Sequence, residues 1–422
     1  MEKVIITCVI VIFIILCRAM KQDWSSPAVI NVLWNSFFVF FAVVIFGDNI
    51  KWKYGGIIWM VLSWLFFFVG QIIGEKIEHP KKDNDSCDKE KTNLAQVVII
   101  CMILVSMLNP LIYLRAYGYS IHSLFNIRTL LVINNTIAVD RYSGGGLGGG
   151  IITVIGAIAY CSALCGGYMF IWCKGIFSKL LMIATLLPTI ILTMITSGKI
   201  GTIAVVFLWI IGWVIACLEE KQTGIEISKK FSVLILSGGS IAFLILYLSM
   251  MLRIGTINAE TKMIVDNKMQ IYAFGQIQAF TEWFSRLDVF RYELGSNTFM
   301  VIARGLGLVE RQQGVYGIIR GVVTNIFTQN RGIIQDFGIF GGLIYWGCSG
   351  IVAGWCYKGV KVRSQYGVLN NVLLATVYFA ILYGFVISPW IYTSYIVAFL
   401  GFAGFVYFLD KMKINIMVRD KA

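Results

Sequence analysis

Apolar residues run along this chain in long blocks, separated by short polar breaks, from its first turns to Leu409. A helix that crosses a bilayer needs about 20 predominantly apolar residues. Eleven stretches meet or approach that length: roughly 4–17, 27–46, 54–74, 94–114, 151–172, 180–195, 201–217, 231–252, 337–356, 367–388 and 390–409, the first and sixth being short. The pattern predicts an all-α polytopic membrane protein with about eleven transmembrane helices. It divides into N-terminal spans (1–252), a large extracytoplasmic loop with short amphipathic helices (253–335) and C-terminal spans (336–422).

Composition agrees with this reading, since 58% apolar residues, a mean hydropathy of +0.79 and only 14% charged residues lie far from soluble-domain averages. Cytoplasmic loops retain Lys and Arg. With the long loop outside, the inward segments hold 19 of the 35 Lys and Arg residues and the short outward segments hold 7. That bias places the C-terminus inside and the N-terminus outside. Lys3 followed by an apolar run has the look of an export signal, but no small-x-small cleavage site precedes RAMKQD, and Ile15 and Leu16 before Cys17 are not the small residues of a lipoprotein site.

A net charge of +13 raises the question of nucleic acid. The excess lies mainly in the short inward loops, where sidedness already explains it, so no nucleic-acid partner is expected. The ten cysteines include no C-x-x-C pair and none lies in the long loop, and the two histidines, His79 and His122, fall on opposite sides of the predicted membrane. Disulfide chemistry, thiolate zinc sites and multi-His metal sites are therefore not indicated. The outer loops also lack a compact carboxylate cluster of the kind magnesium uses, so neither metal nor cofactor is expected. Residues 75–91 read as a solvated loop of mixed charge, and Cys161 with Cys165 as small packing residues. The glycine run Ser143 to Gly150 fits neither phosphate-binding spacing and reads first as a hinge.

The spans carry almost no ionisable residue at their centres, which argues against an ion-coupled carrier. Pro110 and Pro188 are candidate kinks, and Pro389 marks the turn between the last two spans. Chemistry is then expected in the outer segments. Residues 253–335 are too many for a plain connector. Within them Ile277, Phe280, Phe284 and Leu287 recur at helical spacing, predicting an amphipathic helix on the membrane or on the bundle. After Lys268 the loop's remaining cations, among them Arg291, Arg304, Arg311, Arg320 and Arg331, are all arginine, whose planar fork grips phosphate bidentately.

The stretch TNIFTQNRGIIQDFGIFGGLIYWGCSGIVAGWCY, Thr324 to Tyr357, resembles the signature region of O-antigen polymerases (Wzy) and the wider oligosaccharide repeat unit polymerase family. The matching positions are Thr324, Asn325, Phe327, Thr328, Asp336, Phe337, Gly338, Gly341, Gly350 and Gly354. A weaker match is TSGKIG, Thr196 to Gly201, similar to the family's outer S-G-S-R-G turn, with Lys199 where arginine is usual. The resemblance implies a glycosyltransferase of the bacterial cytoplasmic (inner) membrane. It would move a growing glycan from undecaprenyl diphosphate onto a new lipid-linked repeat unit, building an O-antigen of lipopolysaccharide, a capsule or an exopolysaccharide. Its partners would be those lipid-linked glycans, membrane lipid and a chain-length regulator protein. An O-antigen ligase and a lipid-oligosaccharide flippase are the alternatives.

Breaking a sugar–phosphate bond pushes negative charge onto the diphosphate, and fixed cations aimed there stabilise the transition state. Arg304, Arg320 and Arg331 are the candidates, with Lys199 and Arg291 behind them, while Thr324, Asn325 and Thr328 either satisfy re-entrant backbone, the more usual role, or bind sugar hydroxyls. The attacking hydroxyl must lose a proton, and Asp336, Glu282, Glu293 and His122 compete for that role without the sequence separating them. Each has a plainer reading. Arg331 beside a span anchors it at the interface by snorkelling, Asp336 caps its N-terminus, and His122 is an interfacial polar residue.

Overall fold

The computed structural model describes residues 2–420 apart from 20–22, 46–51, 81–88, 143–148, 197, 223–243, 245–246, 249, 252–257, 288–291, 310–316, 320–321, 325 and 327. Its helices are α1 (Glu2–Ala19), α2 (Pro27–Phe40), α3 (Tyr54–Lys76), α4 (Lys89–Ala116), α5 (Ile127–Tyr142), α6 (Gly150–Met169), α7 (Ile176–Ala184), α8 (Leu187–Thr196), α9 (Lys199–Lys221) and α10 (Ala259–Phe284). They continue with α11 (Met300–Gly305), α12 (Thr328–Lys361), α13 (Gly367–Tyr383) and α14 (Thr393–Asp420). A two-stranded antiparallel ribbon, β1 (Gly317–Ile319) and β2 (Val322–Thr324), pairs Ile318 with Val323. It departs from an all-helical loop because two β-branched runs flank the Arg320–Gly321 dipeptide.

Eight helices among the described residues are long and apolar enough to cross a membrane, so the chain is a multi-pass membrane protein. The stretch expected at 180–195 is one such span, Ile176–Thr196, assembled from α7 and α8. The stretch 367–388 appears as the shorter α13, and 4–17 lies within α1. Most of 231–252 lies outside the described residues.

Two compact units share the chain: Met1–Lys82, Leu218–Glu226 and Lys268–Tyr392 form the first, and the remainder the second. The first is organised on α3 against α12. Lipid gives helices no hydrophobic reason to associate, so close backbone approach between small residues has to supply the attraction. Gly70 and Gly74 of α3 face the backbone of Gly347 and Ile351, while Gly350 and Gly354 of α12 face the carbonyls of Phe67 and Gln71. A methyl group at any of these four positions would collide with main chain. Around this seam pack Trp59, Met60, Phe67, Ile277, Phe280, Ile333 and Trp346. The apolar stripe expected in the long loop is therefore on α10, and Ile277 and Phe280 are buried against protein, with Phe284 and Leu287 beside them.

Segments expected on one side of the membrane meet at one end of this unit. Tyr357 and Lys361 of α12 hydrogen-bond Asp23, and Arg363 Nε donates to the Glu219 carbonyl at 3.0 Å. Burial pushes the Asp23 carboxyl up, but hydrogen bonds from Ser25 and Tyr357 and the charge of Lys361 outweigh it and hold the group below its usual range. At the same end His79 Nε2 donates to the Trp355 carbonyl at 2.8 Å, and its Nδ1 faces Ser364 Oγ at 3.2 Å. Burial holds the imidazole below its ordinary pKa.

In the second unit α6 is central. Gly167 of α6 and Gly212 of α9 each abut the other helix's backbone, and Gly401 of α14 sits against Cys161. Cys161 and Cys165 are buried, as expected of packing residues. Pro110 lies inside an unbroken α4, whereas the join between α7 and α8 falls just before Pro188.

Candidate active site at the break in α12

Ten residues into α12 the helix is interrupted at Gly338, whose φ of 75° and ψ of 178° are open to glycine and costly for other residues. A Cβ there would also lie 2.5 Å from the Tyr292 ring. In an unbroken helix the Gln335 carbonyl would accept from the amide four residues on. Here it takes the Glu293 amide at 3.1 Å, and Trp59 Nε1 donates to the Ile339 carbonyl at 3.0 Å. The first ten residues of α12 are thus a short, largely buried helix leading into the longer stretch beyond the break. Gln329 fastens its start by donating to the Ala380 carbonyl at 2.9 Å, while Trp346 Nε1 donates to Asn330 at 3.1 Å.

Asp336 sits two residues before the break with 0% exposure, and it is the single acidic or basic side chain that is buried among the described residues. Burying a carboxylate is expensive unless donors replace its water. Three do: Asn297 N at 3.0 Å and Asn297 Nδ2 at 2.9 Å to one oxygen, and Thr298 N at 2.6 Å to the other. Asp336 therefore fixes the turn Glu293–Thr298, and Ser388 Oγ holds the same turn by donating to the Thr298 carbonyl at 2.7 Å.

Asn297 Nδ2 also donates to Glu293 Oε2 at 2.7 Å, so one amide links two carboxylates. Their settings are opposite, for Glu293 is exposed and Asp336 is sealed. Arg331, one and a half turns before Asp336, lies over the Trp283 ring at 5.3 Å and is close enough to Glu293 to feel its charge. The result is an aromatic-backed cation, a solvent-facing carboxylate and a rigid turn, all beside the break in one span. Such a site can hold an anionic group against Arg331 and accept a proton at Glu293.

The other expected site residues fall as follows. Glu282 is partly buried on α10 and accepts from Gln278 at 2.8 Å. Arg304 is exposed on α11. Thr328 opens α12 with a φ of 40° and is buried, so it serves the helix entry. Thr324 ends β2. Arg291, Arg320 and Asn325 lie outside the described residues, as does most of the glycine run. Lys199 begins α9, and His122 is exposed on a short 3-10 turn, both in the second unit.

Sequence reasoning missed Trp283, Tyr292, Asn297, Thr298 and Ser388. The turn-forming run LGSNT was a visible signal for the third and fourth, because Gly, Ser and Asn cluster where backbone amides are left to bind a carboxylate. Among the described residues no group of three or more His, Cys, Asp or Glu side chains is placed to hold a metal ion. In comparisons with known proteins, no family model, no curated protein and no solved structure matches this chain.

Proposed function

We propose that this chain is a membrane glycosyltransferase that joins undecaprenyl-diphosphate-linked oligosaccharide repeat units into a surface polysaccharide. It has about eleven spans and works at the outer face of the bacterial cytoplasmic membrane. The observation that carries the reading is the placement of the Arg331 guanidinium over Trp283 and within electrostatic reach of Glu293, ahead of the break in a span. A lipid-linked donor needs its tail in hydrocarbon, its sugars in water and its diphosphate at the boundary. A broken helix end offers that boundary to one substrate.

In the transfer, a hydroxyl oxygen of the acceptor sugar attacks the anomeric carbon of the donor glycan. The bond from that carbon to the diphosphate oxygen breaks, and the electron pair leaves with undecaprenyl diphosphate. Glu293, exposed and steadied by Asn297, takes the hydroxyl proton. Arg331, backed by Trp283, neutralises the charge that grows on the departing diphosphate. Asp336 does not reach substrate in this scheme; it is a positioning residue that holds the turn carrying Glu293 and Asn297. In cells, Arg331→Ala is expected to accumulate single lipid-linked repeats while the protein still inserts and folds. Normal polymer made by that variant would refute the scheme.

A further inference from the structure

We infer that the segment from Phe299 to Leu308, with α11 at its centre, is seated in the lipid bilayer and holds the turn Glu293–Thr298 at the membrane surface. The occupant of its apolar face is phospholipid.

This stretch belongs to the loop expected outside the membrane spans, and its large aliphatic side chains are exposed. Leu306 and Leu308 are 69% and 70% exposed, and Ile302 and the nearby Leu294 are exposed as well. In water so many exposed aliphatic side chains within fifteen residues are a liability, and soluble surfaces rarely keep large apolar patches without a partner. The segment's fastening shows which partner. Phe299 packs on Tyr345 with ring centroids 6.3 Å apart, and Tyr345 lies seven residues beyond Gly338, about 10 Å along the span. Trp390 hydrogen-bonds the same tyrosine. On these first turns of the span, Phe340 (80% exposed) and Ile344 are outward-facing and apolar, as lipid-facing residues are. The α11 segment is thus rooted beside the upper turns of a membrane span, so its leucines extend the lipid-facing belt that Phe340 and Ile344 begin.

Arg304 and the aromatic residues set the height. Arg304 is exposed between Ile302 and Leu306, and its guanidinium has to stay among phosphate oxygens or water while the aliphatic side chains go deeper. Tyr292, Trp283, Trp390 and Tyr392 gather at this end of the unit, which is the composition of a membrane–water boundary. The inference rests on packing alone and stands whether or not the transfer reaction does.

The test uses the full-length protein in nanodiscs of phosphatidylethanolamine and phosphatidylglycerol. A spin-labelled non-natural amino acid is placed singly at position 302, 306 or 308, with position 340 as the lipid reference and position 293 as the water reference. Collision with oxygen is compared with collision with a water-soluble nickel chelate. Labels at 302, 306 and 308 are expected to favour oxygen as 340 does, while 293 favours nickel. If the three labels follow 293 in protein that remains folded and monodisperse, the segment lies in water and the inference fails. Three independent positions keep the result readable when one substitution perturbs folding.

Discussion

Asn297 donates twice to one carboxylate oxygen of Asp336, through its backbone amide at 3.0 Å and its side-chain amide at 2.9 Å. Two donors from one residue lock both the position and the rotation of the turn that carries Glu293. They also assign the two carboxylates different work. A sealed acceptor already holding three N–H groups is a structural part, and an exposed one is available to a substrate.

Removing the sealed carboxylate should therefore cost stability, and removing the exposed charge should not. Asp336→Ala leaves the buried Thr298 amide and the half-buried Asn297 backbone amide without their acceptor, while Asn297 Nδ2 keeps Glu293, and a buried group left unpaired costs about 1–3 kcal/mol. Glu293→Gln keeps an oxygen for Asn297 and should change stability by no more than about 0.5 kcal/mol. Thermal or denaturant unfolding of the detergent-purified variants checks both. Equal loss in the two variants would remove the division of roles.

Gly338→Ala is expected to destabilise the break on two grounds. A backbone at φ 75°, ψ 178° is essentially open to glycine alone and costs a residue with a side chain about 1–3 kcal/mol, and the new methyl meets the Tyr292 ring. Adding Tyr292→Ala relieves the second cost and not the first, so the double variant should regain only part of the loss. Full recovery in unfolding measurements would show that the backbone at Gly338 carries no strain for alanine.

On the α3–α12 seam, Gly350→Ala forces a methyl into the Phe67 carbonyl. Overpacking of this kind typically costs about 1–3 kcal/mol. The expected sign is a lower melting temperature, and an unchanged one would mean that the two helices separate freely.

Asp23 gives a pH signature. Its carboxyl is held below its ordinary value in the folded protein, so the folded state binds its proton less readily than the unfolded chain does. Its stabilising contribution is complete above the unfolded value, about 3.9, and is lost as pH falls through the lower folded value. Asp23→Asn should therefore flatten the acid side of the stability profile while leaving its shape at neutral pH intact. A parallel shift across all pH would contradict this.

Eight of the expected spans were legible because apolar length is a direct signature of lipid, and the stripe Ile277–Phe280 was legible because a buried helix face repeats at helical spacing. Helix α5 was not anticipated. Asn134 and Asn135 interrupt its apolar run, and the amide of Asn134 is buried, donating to the Met194 carbonyl at 2.7 Å, a partner 60 residues away that local pattern cannot show. The same limit applies to the site. Arg331 and Asp336 stood out beside a span, but Asn297 and Thr298 are 39 and 38 residues from Asp336 in sequence. The resemblance singled out Asp336, Phe337 and Gly338 as a motif. Each has a local reason: Asp336 is the acceptor for the turn, Phe337 stacks on Tyr345 with centroids 5.9 Å apart, and Gly338 makes the break at a φ of 75°.

The most direct test of the proposed transfer is to supply purified full-length protein with synthetic undecaprenyl-diphosphate repeat units and nothing else, and to resolve the glycan products by length. The wild-type protein is expected to yield a ladder of lengthened glycans, and Glu293→Gln to slow its formation by about 10²–10⁴-fold, the usual share of a general base. Unchanged single repeats from folded wild-type protein, as a ligase or flippase would leave them, or an undiminished ladder from Glu293→Gln, would contradict the account.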